Sequence, residues 1–381
     1  MQPTLVKDFT RDEAILAVSL ELAKSSWKVA LYDGRREQPA VHTVAHPQAA
    51  GRLAEAMRVV EERKHAWGLG PATRVVVIYE AGQDGFWVAR ALTGQGYEVQ
   101  VVDPASIPVA RRARRAKTDR LDALRLVLSL WAWLGGERDR LRVVRVPKLE
   151  DEARRHWVRE RGELQKEIGQ HRDRMRKLLR TVGCWDEVDG EFERRLRQGA
   201  VVCYDDGALP AELRVRLARE CERLALAQRQ LAALEAELHQ ALPAPVQQCI
   251  ARLMQLKGVG RVGATRLQLE LFWREFDNRR QVGACVGLVP QPYNTGESRV
   301  DQGISKQGNR RVRALLVEMS WLWLRYQPDS ALTRWFMRRT QGGQKRGKRI
   351  AIVAVARKLV IALWRYLKDG VLPEGAVLKA V

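Results

Sequence analysis

Short apolar runs near the N-terminus of the chain predict buried strands. Residues 15–22 and 27–32 are two such runs, and the short turn at 24–26 between them predicts a hairpin. Residues 74–79 and 98–102 are rich in β-branched side chains and have the length of a buried strand. The N-terminal region is therefore predicted to contain at least four strands.

Helical patterns separate these runs. Residues 48–66 and 85–95 have apolar residues at the spacing of one helix face. A hairpin followed by alternating strands and helices predicts a mixed sheet with helices packed on its faces. We therefore expect an α/β domain over residues 1–140.

The middle of the chain has a heptad pattern typical of a coiled coil. Charged residues are interleaved there with leucines at helical spacing. The earlier stretch 149–179 fits as an antiparallel partner of the heptad segment 217–238, and 181–210 would form the tip between them. The pattern fits an intramolecular hairpin and an intermolecular oligomerisation arm equally well. We expect a helical arm over 141–245. The apolar positions of the heptad are Leu217, Leu224, Leu231 and Leu238, with Cys221, Ala227 and Leu234 between them.

Beyond residue 245 the composition changes again. Short helices broken by glycine precede a loop at 289–308, and two tryptophan-rich helices are predicted near 311–326 and 349–368. The third domain, 246–381, is therefore predicted to be mostly α.

The charge of the chain indicates a polyanionic partner. It has 67 Lys and Arg against 45 Asp and Glu, a net charge of +22, which favours nucleic acid. Anionic membrane is the competing partner, but no apolar run approaches the roughly 20 residues of a spanning helix, and no signal-peptide pattern is present. We expect a cytoplasmic protein. Its five cysteines are widely separated and form no CxxC pair, so neither zinc nor disulfides are expected.

Four carboxylates are candidate metal ligands. Glu21 lies near the end of the first strand, and Glu80 follows the strand 74–79, at the edge where α/β sheets place ligands. Asp119 and Asp122 lie in the predicted first turn of a helix and share one face. Oxygen ligands of this kind suit Mg²⁺ or Mn²⁺ in phosphodiester cleavage.

Each acid also has a structural explanation. Glu80 fits a helix start, and Asp119 fits an N-cap with Thr118 as the alternative. Glu21, among apolar neighbours, has the weakest such explanation. Taken together, the four acids favour a metal site.

A basic tract precedes the two aspartates. Such a tract is commonly a solvated face, but beside a metal site it would bring phosphate to the acids. Its cations are Arg111, Arg112, Arg114, Arg115 and Lys117.

The third domain offers two further candidate sites. The glycines of 256–263, with Lys257 and Arg261, resemble a helix-hairpin-helix turn, and a plain helix-to-helix turn explains them nearly as well. The segments 287–299 and 303–313 contain hydroxyls, glycines and cations that suit either a nucleophile or backbone binding of nucleic acid. Residues 344–349 are predicted to form a phosphate-binding loop. The cations concerned are Arg299, Lys306, Arg310, Arg311, Arg313, Lys345, Arg346, Lys348 and Arg349.

With these motifs the chain resembles the DEDD transposases of the insertion-sequence 110 family, which are related to pilin-gene invertases. The resemblance covers nearly the whole chain. The motifs that carry it are Leu20-Glu21-Leu22-Ala23-Lys24, Glu80-Ala81-Gly82, residues 117–123, Gly258-Val259-Gly260 and residues 287–313.

The resemblance implies an RNase H-like (RuvC-like) N-terminal domain that holds Mg²⁺, a coiled-coil arm, and a C-terminal domain whose serine links covalently to DNA. Glu21, Glu80, Asp119 and Asp122 are then the catalytic and metal-binding acids. The resemblance further implies a homo-oligomer, a dimer or tetramer, around a structured non-coding RNA that pairs with donor and target DNA.

This chain departs from the family pattern at two positions. The first acid of the family is usually aspartate, whereas this chain has Glu21, which is one methylene longer. At the position that matches the serine of the family, this chain has Thr295. The nucleophile is then Thr295 itself, or Ser298 or Ser305 replaces it, or this copy is impaired.

Three functions stay open at this stage. The chain is a recombinase that forms covalent protein–DNA intermediates, a RuvC-like nuclease or resolvase that needs only the carboxylates, or a catalytically impaired nucleic-acid-binding protein. The resemblance favours the recombinase, with Thr295 as nucleophile.

Overall fold

The computed structural model describes residues 14–82, 85–108, 118–295, 298–341 and 345–380, with only the backbone at 239, 293–295 and 298–301. The chain divides into two compact units, residues 1–148 and 149–381. The predicted division at 140 and 245 into three domains stays a prediction.

The first unit contains the mixed sheet that the sequence predicts. Its strands lie in the order β3-β2-β1-β4-β5; β1 and β2 are antiparallel, as are β2 and β3, whereas β1–β4 and β4–β5 are parallel. The strands are β1 (Ile15–Glu21), β2 (Ser26–Tyr32), β3 (Ala40–Ala45), β4 (Arg74–Glu80) and β5 (Glu98–Val102). Only β3 was not predicted. It is a partly exposed edge strand, so its apolar signal is weak.

Helices cover both faces of this sheet. Helices α1 (Ala49–Ala66) and α2 (Trp87–Gly94) pack on one face. Helix α3 (Asp119–Leu134) packs on the other face. Because both faces are covered, the central strand β1 is apolar along most of its length instead of alternating.

The second unit begins with two long antiparallel helices, α4 (Leu149–Arg180) and α6 (Ala211–Ala241), with the short α5 (Phe192–Arg197) between them in the chain. Ion pairs of 2.7 Å between Arg161 and Glu235, and 2.9 Å between Arg174 and Glu220, run in opposite order along the two helices. The predicted partners therefore pack within one chain. Their supercoiling stays a prediction. The shared core includes Ile168, Met175, Leu217, Cys221 and Leu224.

The rest of the second unit is mainly helical. It has a core to which α7, α8, α10 and α12 contribute, among others, Leu253, Leu267, Leu316 and Leu359. Its elements are α7 (Ala244–Met254), α8 (Arg261–Leu267), a π-helical turn (Gln268–Phe272), α9 (Arg279–Cys285), β6 (Pro290–Thr295), β7 (Ser298–Ile304), α10 (Arg310–Tyr326), α11 (Ala331–Thr340) and α12 (Lys345–Asp369).

Two loop predictions for this unit are wrong. Residues 289–308 contain the antiparallel pair β6–β7. Its polar, Pro- and Gly-containing sequence lacks the alternating apolar signal of a half-buried strand. Residues 345–349, predicted as a loop, form the first turns of α12. Lysine and arginine are good helix formers, and these side chains are exposed, so solvent accommodates their charge.

None of the helices in the described ranges combines the length and apolar character needed to cross a lipid bilayer. All five cysteines are free thiols.

Candidate active site

Glu21 and Glu80 end two neighbouring parallel strands. In the pairing of β1 with β4, Leu20 lies opposite Tyr79. Glu21 and Glu80 are the next residues and the last of their strands. The register therefore sets the two glutamates side by side at one edge of the sheet.

Both glutamates lie on the face of the sheet that α3 covers. Alternate positions along a strand share a face, so Glu21 shares its face with Ala17, and Glu80 shares its face with Ile78. Ala17 and Ile78 both pack in the core that the sheet forms with α3. The strand pattern thus places the two carboxylates on the α3 side.

A buried hydrogen bond fixes the start of α3 over β1. Ser19 is two residues before Glu21 on the same face, and it is fully buried. Its Oγ donates to the carbonyl oxygen of Ala123 at 2.7 Å. Ala123 follows Asp122 directly, so this bond holds the first turn of α3 near the end of β1. Ser19 was not predicted as a site residue, because a serine within an apolar strand is commonly structural.

Asp119 and Asp122 lie in the first turn of α3, as predicted. Thr118 is the N-cap, and its hydroxyl accepts a hydrogen bond from the amide of Leu121 at 3.3 Å. The interpretation of Asp119 as the N-cap is therefore wrong, and the alternative, Thr118, is the cap. Asp119 is exposed, and Oδ1 of Asp122 lies 3.3 Å from Nη1 of Arg125.

The four acids offer only oxygen ligands, which suit Mg²⁺ or Mn²⁺. Among the described residues, however, no three Asp, Glu, His or Cys side chains lie close enough together to hold a metal ion. The donor chemistry fits such an ion, and the fold brings the acids to one face without closing them into a site. The predicted phosphate-binding tract 111–117 lies outside the described residues.

The candidate nucleophile Thr295 ends β6. Its backbone pairs with Ser298, the first residue of β7, so the two hydroxyl residues flank the turn of the hairpin. The side chains of Thr295, Ser298 and Arg299 lie outside the described part of the chain. Ser305 follows β7, and its amide donates to the carbonyl of Val289 at 2.9 Å.

The base of this hairpin is closed by backbone contacts. The amide of Lys306 donates to the carbonyl of Gly287 at 3.1 Å, and the amide of Asn309 donates to that of Cys285 at 2.8 Å. Gly287 and Gly308 both have positive φ, 65° and 81°. A Cβ on either would overlap a backbone carbonyl oxygen of the opposite segment. Only glycine therefore permits the approach of the two segments.

Arg313 has a structural role at this base. Its Nη1 donates to the carbonyls of Val286 and Gln307, at 3.0 and 3.3 Å. Burial, followed by the charge of the nearby Arg310, lowers the pKa of Arg313. Its predicted contact with nucleic acid stays a prediction.

A buried carboxylate supports the same region. Glu270 lies in the π-helical turn and is only 2% exposed. Its Oε2 accepts a hydrogen bond of 2.8 Å from Nδ2 of Asn309, and its Oε1 lies 3.8 Å from Nε of Arg159. Glu270 was not predicted as a site residue. The signal in the sequence was an acid within the apolar run 267–272. In the structure, its π-helical turn is of a kind that occurs frequently at functional sites.

Most of the predicted nucleic-acid-binding cations are on the surface. The exposed ones are Lys257, Arg261, Lys306, Arg310, Arg311, Lys345, Arg346, Lys348 and Arg349. Lys257 and Arg261 belong to the turn between α7 and α8, in which Gly258 has a φ of 85°. Arg357 and Arg365, which continue the cations of α12 beyond Arg349, were not predicted.

Comparisons with known proteins identify the family of the chain. A model described as "Transposase IS116/IS110/IS902 family" matches residues 250–335, and a model for DEDD transposases of the IS110 type matches residues 20–183. "Putative transposase y4rJ" of Sinorhizobium fredii is 42% identical over 97% of this chain and 96% of its own length. "Transposase for insertion sequence element IS1328" of Yersinia enterocolitica is 31% identical over 31% of this chain and 36% of its own. The chain therefore belongs to the IS116/IS110/IS902 family of transposases and is a DNA transposase.

Proposed function

We propose that this transposase cuts and exchanges DNA strands with divalent metal at the four acids and forms a covalent bond between a hydroxyl side chain and DNA. The observation that carries the proposal is the adjacency of Glu21 and Glu80 at the ends of β1 and β4, beside the start of α3. Two carboxylates at neighbouring strand ends repel each other, and a divalent cation bound beside both would offset that repulsion.

Glu21, Glu80, Asp119 and Asp122 are the residues that would hold the ion. Bound there, Mg²⁺ would neutralise the charge that develops on the phosphodiester during cleavage. The longer side chain of Glu21 lets its carboxylate extend further from β1 than an aspartate would. To bind the same ion, the side chains of Asp119 and Asp122 would have to rotate toward the glutamates. Asp119 is exposed, and Asp122 would have to leave its partly exposed pair with Arg125.

Thr295 is the proposed nucleophile. Its Oγ1 forms a bond to phosphorus as the bond from phosphorus to the leaving deoxyribose oxygen breaks, and the hydroxyl proton is released. The position of Thr295 at the turn of a hairpin with a closed base supports this role, because a fixed base limits where the turn can lie. Assembly on DNA would bring this residue and the acids, of one chain or of neighbouring chains, to one phosphodiester.

The proposed partners are donor DNA, target DNA, a structured non-coding guide RNA and further copies of this chain. The net charge of +22 supports binding to nucleic acid of either kind. The RuvC-like character of the first domain, a coiled-coil arm and the cytoplasmic location belong to the same proposal.

A denaturing gel tests the proposal. Purified full-length protein is incubated with labelled substrate DNA and copurified RNA, with Mg²⁺ or with EDTA. We expect a labelled protein–DNA adduct that requires Mg²⁺. Metal-dependent cutting without an adduct would instead identify a nuclease or resolvase, and binding without cutting would identify an impaired copy.

A further inference from the structure

A groove of about 960 Å³ lies between the β6–β7 hairpin and α12. Gln302, Ile304 and Lys306 line it on the hairpin side, and residues 346–365 of α12 line the other side. The hairpin that forms one wall also carries Thr295. The groove is therefore part of the structure that supports the candidate nucleophile.

The lining of the groove is strongly basic. Glu374 is the one acid among its described lining residues. Its Oε1 lies 3.4 Å from Nη2 of Arg334, a residue that does not line the groove. Lys358 stacks on the ring of Trp335. Within the described ranges, the other cations form no ion pair with an acid, so a polyanion would meet uncompensated charge. The lining cations are Arg279, Lys306, Arg346, Arg349, Arg357, Lys358 and Arg365.

The floor of the groove is apolar. One face of α12 packs in the core through residues such as Val355 and Leu359. A different face of the same helix lines the groove. On that face Ile350, which is 62% exposed, and Ile361 lie between the arginines. Arg346 and Arg365 are about 28 Å apart along the helix axis at 1.5 Å per residue, so the combination of charge and apolar surface is long.

This combination fits an unpaired strand better than a duplex. A duplex turns its phosphates outward and hides its base faces, and an apolar floor would then have nothing to contact. An unpaired strand offers phosphates and exposed apolar faces of sugars and bases together. The groove also lies against the hairpin whose hydroxyl would bond to a DNA strand.

We propose that this groove binds one unpaired DNA strand, with phosphates on the arginines and sugars and bases on the apolar floor. The inference rests on the proposed function, because the strand would be the one whose phosphodiester Thr295 attacks. The groove residues are Arg279, Arg346, Arg349, Ile350, Arg357 and Arg365.

The test compares a groove variant with a control of equal charge. The groove variant is Arg357→Gln with Arg365→Gln. The control is Arg338→Gln with Arg339→Gln, which removes two exposed cations of α11 that do not line the groove. Binding of full-length protein to a fluorescent 20-nucleotide DNA strand, to its duplex, and to RNA of the same sequence is measured in EDTA at several salt concentrations.

Loss of two phosphate contacts to a single strand should reduce the slope of log affinity against log salt by about 1.4, which is about 25-fold in affinity at 0.1 M salt. We expect this loss for the DNA strand with the groove variant, and little change with the duplex or with the control. Ile350→Glu, at an exposed position, should weaken the same interaction without affecting the fold. Equal melting temperatures check that each variant is folded.

Four results would overturn the inference: no loss of strand binding in the groove variant, an equal loss with strand and duplex, an equal loss with the control variant, or a larger loss with the RNA strand than with the DNA strand. Because the measurement needs neither metal nor cleavage, it separates this inference from the proposed function. Failure of the proposed function removes the adduct, whereas failure of this inference leaves strand binding intact in the groove variant.

Discussion

Asn309 joins the π-helical turn to the start of α10. Its Nδ2 donates to Oε2 of Glu270 at 2.8 Å, while its Oδ1 accepts the amides of Arg311 and Val312 at 3.0 and 3.1 Å. One amide side chain, five residues after the end of the hairpin strand β7, therefore caps a helix and donates to one oxygen of a buried carboxylate.

Asn309→Ala should destabilise the protein by about 2–4 kcal/mol. Loss of an N-cap costs about 1 kcal/mol, and the loss of a hydrogen bond to a buried carboxylate costs about 1–3 kcal/mol more. Asn278→Ala is the matched control, because Asn278 caps α9 in the same way at an exposed position. Urea unfolding measures both variants, and equal losses would show that the bond to Glu270 adds nothing.

Glu220 should make the arm sensitive to acid. Burial opposes ionisation, but hydrogen bonds from His171 and Arg174 outweigh it and lower the pKa of Glu220. A lowered folded-state pKa gives stability that is present above the unfolded value of about 4.3 and is lost as pH falls through the folded value. Melting temperature should therefore fall from pH 5 to pH 3, and less steeply in Glu220→Gln. The same slope in both proteins would assign the acid sensitivity to other groups.

Asp122→Asn should abolish strand cleavage, with a loss of more than about 100-fold, while the protein stays folded. Removal of a metal ligand affects chemistry far more than stability. Asp173→Asn is a close control, because Asp173 pairs with an arginine three residues later, as Asp122 does, but on α4. Recombination by Asp122→Asn at near the parent rate would exclude a metal role for this residue.

Thr295→Ala should abolish the covalent adduct and leave binding of nucleic acid intact. Thr295→Ser should match or exceed the parent, because the extra methyl of threonine restricts χ1 and crowds the attack. Mass spectrometry of the adduct locates the attached residue. Attachment at Ser298 or Ser305, or an adduct that persists in Thr295→Ala, would refute the assignment.

Leu224→Glu together with Leu231→Glu should unfold the arm, because two unpaired charges in its core cost several kcal/mol. Leu226→Glu is the control, since Leu226 on the same helix is exposed. Circular dichroism and size-exclusion chromatography measure helicity and assembly. Unchanged helicity and melting in the double variant would contradict the role of this core.

The sequence was informative where neighbouring residues determine the structure. The apolar run of β1 and the first turn of α3 follow from patterns within about ten residues. The bond between Ser19 and Ala123 and that between Glu270 and Asn309 join residues 104 and 39 positions apart, and no local pattern signals them. The hairpin was missed for a further reason. Its strands have little apolar alternation, and backbone pairing, to which every residue type contributes, defines it.

Gly287 and Gly308 make the base of the hairpin intolerant of substitution. At its base, any side chain at either glycine would collide with main-chain atoms, which no rotamer change can relieve. Random mutagenesis of the element should therefore recover active variants only among those in which the two glycines remain unchanged.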